Sequence, residues 1–196
     1  GLRFTRLYNN NMCNVTRAAL LTGTYHTIAF RNQAINPRCA TLAETLRAAG
    51  YATRMSGKWH LANIGERNQW PIQRGFEEYY GTIYGASSFF APASLKRNNA
   101  DASKDFEKPG YYYTDAISDN AASMIVKSPK DKPLFMYVAY TSPHWPLHAL
   151  EEDIKKYKGR YAKGWDVLRT ERYERMRKLG IVTKDMPLSP RNPKVA

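Results

Sequence analysis

Three short stretches of this sequence carry residue types that could hold an anion and move protons. The first is Cys13 with Arg17 one helical turn further on, at the front of a helix-forming run. Free backbone N–H groups and the helix dipole draw anions to such a position. An isolated cysteine, on the other hand, is more often a small buried hydrophobe. The second stretch is Lys58 and His60, directly after a strand-like segment that ends near Ser56. Side chains just past the carboxyl ends of strands line the ligand crevice of open α/β sheets. If the chain stays extended there, Trp59 points away and Lys58 and His60 share one face. That pairs a cation with a proton-transfer group, although two ordinary surface residues would look the same. The third is His144, inside Ser-Pro-His-Trp-Pro-Leu-His, where two prolines stiffen the backbone. His148 is either a helper or a surface residue, and His26 reads as structural. His60, His144 and His148 could together hold zinc, but their spacing matches no standard zinc pattern.

Regular elements must carry these stretches. Residues 2–8 alternate enough for a short strand, and three asparagines at 9–11 form a polar turn. Residues 16–21 favour a helix that Gly23 can end. Thr41 and Glu44 form a capping box that opens a helix stopping at Gly50, and residues 51–56 follow as a strand. A helix followed so closely by a strand is α/β grammar. Residues 74–109 mix Gly, Ser, Asn and aromatics without periodicity and read as long loops near a binding surface, with Tyr79, Tyr80, Tyr84, Phe89, Phe90 and Trp145 lining a substrate mouth or simply packing. Residues 115–127 place Ile117, Ala121, Met124 and Ile125 on one helical face. The apolar run 134–140 reads as a buried strand. Residues 151–157 and 166–179 read as polar helices, and the proline-rich tail 187–196 as a connection.

Composition bounds the alternatives. The chain has 196 residues, 43% of them hydrophobic, and a formal net charge of +13. It can bury one core, is too apolar for disorder, and has no run of about 18 apolar residues to span a bilayer. The positive balance suits an anionic partner, nucleic acid or sulfated polymer. The basic residues between 155 and 178 alternate with acids and read as a solvated helical face, with no nucleic-acid motif beside them. Cys13 and Cys39 could pair, or one could be special.

Taken together, the stretches resemble the sulfatase family. Cys13-Asn14-Val15-Thr16-Arg17, leading to Leu21-Thr22-Gly23, is similar to that family's first signature. Gly50-Tyr51-Ala52-Thr53-Arg54-Met55-Ser56-Gly57-Lys58-Trp59-His60 is similar to the second, and Ser142-Pro143-His144-Trp145-Pro146-Leu147-His148 to a third element. Arg74-Gly75-Phe76 and Tyr79-Tyr80-Gly81 also fit the family. The resemblance is closest to bacterial arylsulfatase-like members and covers most of the chain. It implies an alkaline-phosphatase-like α/β fold, a sheet flanked by helices, incomplete here, with residues 1–186 a partial catalytic domain.

The resemblance also implies a chemistry. Cys13 would be oxidised to formylglycine by a formylglycine-generating or anaerobic sulfatase-maturating enzyme. The hydrated aldehyde would attack sulfur with one hydroxyl and expel sulfate with the help of the other. Arg17 would steady the formylglycine, Lys58 would hold a sulfate oxygen, His60 would contact the formylglycine hydroxyl, and His144 would protonate the leaving oxygen. Lys58, His144 and Trp145 would bind substrate, a sulfated small molecule or polysaccharide. Calcium would polarise the sulfate, with Cys13 as formylglycine its ligand in this chain. The remaining ligands are expected before and after this segment, so that the 196 residues alone are expected to be inactive. A periplasmic or secreted setting is favoured by the family. Val15 stands where the family has proline, which bears on conversion of Cys13. Asn14-Val15-Thr16 matches a glycosylation sequon, read as accidental. The competing readings are a phosphate or phosphonate ester hydrolase of the same superfamily, and a non-enzymatic anion-binding protein with unmodified Cys13.

Overall fold

The computed structural model describes Phe4 and residues 7–194. In chain order the elements are α1 (Cys13–Thr22), α2 (His26–Ala29), β1 (Phe30–Arg31), β2 (Ala34–Ile35), α3 (Leu42–Ala48), β3 (Ala52–Gly57), β4 (Glu78–Thr82), β5 (Leu95–Arg97), β6 (Ala100–Asp101), α4 (Tyr113–Lys127), β7 (Leu134–Ala139), α5 (Glu151–Tyr157) and α6 (Gly164–Lys178). Asn9–His148 forms one unit, and the described residues from Ala149 onward belong to another. The strand expected over residues 2–8 falls largely outside the described residues.

In the first unit, among the described residues, five strands form a sheet in the order β6-β5-β4-β3-β7. β3 lies between β4 and β7 and is parallel to both, in registers Met55↔Tyr79 and Met55↔Tyr137. β5 and β6 add antiparallel strands beyond β4. Successive side chains of β3 serve opposite faces. Ser56 Oγ donates to the Ile117 carbonyl at 2.8 Å, so α4 covers one face. Met55 joins Ala18 and Leu21 of α1, Ala43 of α3, and Phe76 and Tyr79 in the main apolar cluster on the other. This is a sheet flanked by helices.

Local chemistry explains the elements. Thr41 caps α3 in a complete capping box, its hydroxyl accepting from the Glu44 N–H at 3.0 Å and the Glu44 carboxylate accepting from the Thr41 N–H at 2.7 Å. α4 buries Tyr113, Ile117, Ala121 and Met124, a stripe at helical spacing. Phe76 sits at the hub of the main cluster, edge-on to Trp59 at 6.2 Å and stacked on Phe135 and Tyr137 at 6.0 and 6.4 Å. Each such pair contributes about 0.5–1.5 kcal/mol beyond the area it buries.

Three expectations change. The segment 74–109 is not loop throughout, since it supplies β4, β5 and β6. β4 buries four of its five residues, so it shows no alternation, and β5 and β6 are too short for a period to register. The run 134–140 is a strand, but a half-buried one: β7 pairs with β3 alone among the described strands, and Val138 is exposed. The first helix begins at Cys13, three residues earlier than its composition suggests, which places Cys13 on its first turn. Among the described residues, no helix is long and apolar enough to cross a membrane.

Candidate active site

The site is assembled at the carboxyl end of the parallel strands. Gly57 closes β3 at φ +116°, and a Cβ there would lie 2.1 Å from the Ala139 carbonyl oxygen at the end of β7. Only glycine lets the two strand ends approach so closely. The chain beyond is stitched down by backbone bonds: the Lys58 N–H to Ala139, Trp59 to Thr82 and His60 to Ile83, at 2.8, 2.9 and 3.0 Å.

Here the extended backbone assumed from the sequence gives way to a turn. His60 has φ +57°, a left-handed conformation that costs about 1–3 kcal/mol and clusters at functional sites. Trp59 is fully buried, with its indole N–H donating to the Gln69 carbonyl at 2.9 Å. Lys58 and His60 still converge on the same group, because the turn re-aims the imidazole. His60 Nδ1 lies 3.2 Å from Cys13 Sγ. Gly85 makes room for that ring: a Cβ at position 85 would sit 2.2–2.4 Å from its atoms. No sequence motif pointed to Gly85.

Arg17 projects from α1 one turn after Cys13. Its Nη1 donates to the Lys58 carbonyl at 2.8 Å and to the Tyr137 hydroxyl at 3.0 Å, joining α1, the end of β3 and β7. Lys58 is 2% exposed. Burial lowers its pKa first, the Arg17 guanidinium lowers it further, and the Cys13 thiol beside it offsets part of this. His60 is held down to about 4 by burial and then by the charges of Lys58, Arg17 and His144. His144 is therefore near enough to act on His60. Its Nδ1 donates to the Trp145 carbonyl at 2.7 Å, which leaves Nε2 as the nitrogen that can take or give a proton. His148 accepts from the Phe89 N–H at 3.3 Å and packs on Phe90, anchoring the loop that bears His144.

Arg17, Lys58 and His60 thus meet beside Cys13, with the charge of His144 reaching His60, at the start of a helix whose first turn carries no acid. No carboxylate is among the groups acting on Lys58 or His60. The described residues hold no group of three or more His, Cys, Asp or Glu placed to bind a metal. His60, His144 and His148 therefore do not form the zinc site their residue types allowed. Calcium, which wants six or more oxygens, does not find a ligand set among the described residues either.

Cys13 and Cys39 are both free thiols rather than a pair. Asn14 is buried and its Oδ1 accepts from the Val15 N–H, so the sequon is closed to a glycan in the folded chain. Of the aromatics considered for the substrate mouth, Tyr79, Tyr80 and Phe89 are core residues. Tyr84, Phe90 and Trp145 are exposed, Trp145 by 73%.

The family profile described as Sulfatase matches residues 1–186. An uncharacterized sulfatase of Schizosaccharomyces pombe is 31% identical, covering 97% of this chain and 40% of that protein. The arylsulfatase of Klebsiella aerogenes is 31% identical over 96% of this chain and 45% of its own length. The human N-acetylgalactosamine-6-sulfatase is 31% identical over 82% and 36%. Among solved structures, Ps i-CgsB in complex with k-i-k-neocarrahexaose superposes with a TM-score of 0.64 at 27% identity, over 74% of this chain and 38% of that one. The chain spans about two-fifths of the length of these curated relatives.

Proposed function

Because the chain belongs to the sulfatase family, we propose that the whole protein hydrolyses a sulfate ester of an organic compound or carbohydrate, with Cys13 as the precursor of its formylglycine nucleophile. The carrying observation is Lys58. It is a buried ammonium beside Arg17, His60 and the Cys13 side chain, with no carboxylate acting on it. Burying a charge without a counter-charge is costly, and a tetrahedral anion seated among these groups would supply one. Cationic groups fixed in advance around that position stabilise charge as it develops and need no reorganisation during the reaction.

The residues then take distinct parts. Formylglycine at position 13 supplies a geminal diol, one hydroxyl to attack sulfur and the other to release sulfate afterwards. His60, within hydrogen-bond reach of the position-13 side chain, is neutral at pH 7 and can accept the proton that the diol must lose. Lys58 binds a sulfate oxygen. Arg17, tied to the Lys58 carbonyl and to Tyr137, holds the two elements together and keeps its charge beside the anion. His144 protonates the leaving oxygen through Nε2. A sulfated carbohydrate as substrate is supported by the names of the human relative and of the carrahexaose complex, and exposed Trp145 beside His144 offers a ring to a sugar face.

One observation favours a second reading. Val15 replaces the proline of the maturation motif, and a chain whose Cys13 stays a thiol would bind an anion without turning it over. The test is to produce the whole protein together with a formylglycine-generating enzyme, measure the mass of the Cys13 peptide, and assay an aryl sulfate against an aryl phosphate. The expected result is a peptide mass in which one sulfur and two hydrogens of the Cys13 side chain have given way to a single aldehyde oxygen, and dominant sulfatase turnover. Dominant phosphoesterase turnover sinks the sulfate reading. An unchanged cysteine without turnover leaves the anion-binding one.

A further inference from the structure

Residues 149–196 carry thirteen basic residues against seven acidic ones. α6 buries none of its residues. Solvation accounts for an even mixture of charges, but not for what α6 does with its aromatics and arginines. Trp165, Arg169, Arg172 and Arg175 recur at i, i+4, i+7 and i+10, which places them on one face. With Arg160 and Tyr161 they line a cavity of about 780 Å³. Glu171 is the acid at its wall, and it lies 3.6 Å from Lys163.

The arginines of this cavity are oriented but not neutralised. The Arg160 guanidinium lies over Tyr157 at 5.3 Å and Tyr161 at 6.0 Å, and those two rings stack 6.2 Å apart at 4°. Both rings attract the guanidinium through their faces and keep it near the cavity. Arg169 is steadied by Ser189, donating to its hydroxyl at 2.8 Å and to its carbonyl. Among the described residues, Arg160, Arg172 and Arg175 have no carboxylate partner. Trp165 is 84% exposed.

We propose that this cavity is a binding site for a sulfated polysaccharide chain. The guanidinium fork matches the oxygens of a tetrahedral anion in two parallel N–H···O bonds. The Trp165 ring offers an apolar plane to the C–H face of a sugar. Arginines repeating along a helix suit sulfates that repeat along a chain, and the net charge of +13 raises the local concentration of a polyanion. The choice of ligand rests on the sulfated-carbohydrate reading above. Nucleic acid, whose bases would stack on the same ring, is the rival occupant.

Isothermal titration of the 196-residue chain tests this, with dextran sulfate, unsulfated dextran and single-stranded poly(U) at matched charge. Circular dichroism checks that each variant is folded. Dextran sulfate is expected to bind more tightly than poly(U), and dextran not measurably. Arg172→Ala/Arg175→Ala and Trp165→Ala should each weaken dextran sulfate about 10-fold, and Arg172→Lys/Arg175→Lys about 3-fold, since lysine keeps the charge and loses the fork. Lys127→Ala/Lys130→Ala, the same charge lost elsewhere, should weaken it less than about 2-fold, a purely long-range effect. Equal losses in the two double alanine variants, or poly(U) binding as tightly and falling in parallel, overturn the proposal. Binding is read without turnover, so the expected pattern in a protein that hydrolyses no sulfate ester would count against the proposed function alone.

Discussion

Arg74 and Arg172 show one side chain under opposite conditions. Arg74 is 4% exposed and fully engaged: Nε to Glu44 at 2.8 Å, Nη1 to Gln69 at 2.7 Å and Nη2 to the Cys39 carbonyl at 2.6 Å. Through Glu44 it also braces the capping box of α3. Arg172 lies exposed on α6 with no carboxylate partner among the described residues. In Asn9–His148 two cations are buried and directed: Arg74 is satisfied by its partners, and Lys58 is left beside Cys13 without a carboxylate. After Ala149 it stays in water, where each charge is cheap to hold and weak in effect. Burial thus separates cations that act at one point from cations that act by number.

Substitutions can break that contrast, and the largest effect is expected at the reaction centre. In the matured whole protein, Cys13→Ala should reduce sulfatase turnover by about 10⁴-fold or more, as loss of a nucleophile does, with the thermal midpoint little changed. Lys58→Met should lower kcat/KM by about 10²–10³-fold in an aryl sulfate assay, yet leave the thermal midpoint equal or higher, because a buried ammonium is replaced by an apolar chain of similar length. A clear loss of stability would mean that Lys58 is structural. Arg74→Met is the converse: about 2–3 kcal/mol of stability lost in denaturant unfolding, from hydrogen bonds to a charged group, with turnover per folded molecule retained.

The pH dependence sharpens the same contrast. His60 titrates near 4 when folded and near 6.5 when unfolded. Between those values the unfolded chain binds a proton that the folded chain does not. Stability is therefore fully present above pH 6.5 and falls as the pH drops towards 4. Thermal melts from pH 7 to pH 4.5 should show this decline, with a shallower slope in His60→Gln. The smallest effect belongs to the exposed helix, where Arg177→Ala, which breaks a 3.8 Å contact with Glu174, should change stability by no more than about 0.5 kcal/mol.

The sequence made the positions legible but not the couplings. Cys13, Lys58, His60 and His144 each stand at the end of an element whose punctuation is readable: a helix start, two strand ends and a proline-fixed turn. The helix over 151–157 and the capping box at Thr41 were likewise written in local residue types. What joins them was not. The Arg17 bond to Tyr137 links residues 120 apart, and nothing local at either end announces it. The strands within 74–109 escaped because full burial erases alternation and two-residue strands have no period. The turn at His60 escaped because its left-handed backbone is imposed by Ile83 across the chain.

Gly85 gives the imidazole a hidden adjuster. Its own backbone is not left-handed, so any amino acid could adopt its conformation, yet a single methyl group there would overlap the His60 ring. Any side chain there would have to displace the imidazole, and with it the 3.2 Å approach to the Cys13 thiol. A graded set of residues at 85 would vary that approach while leaving Cys13 and His60 themselves unchanged.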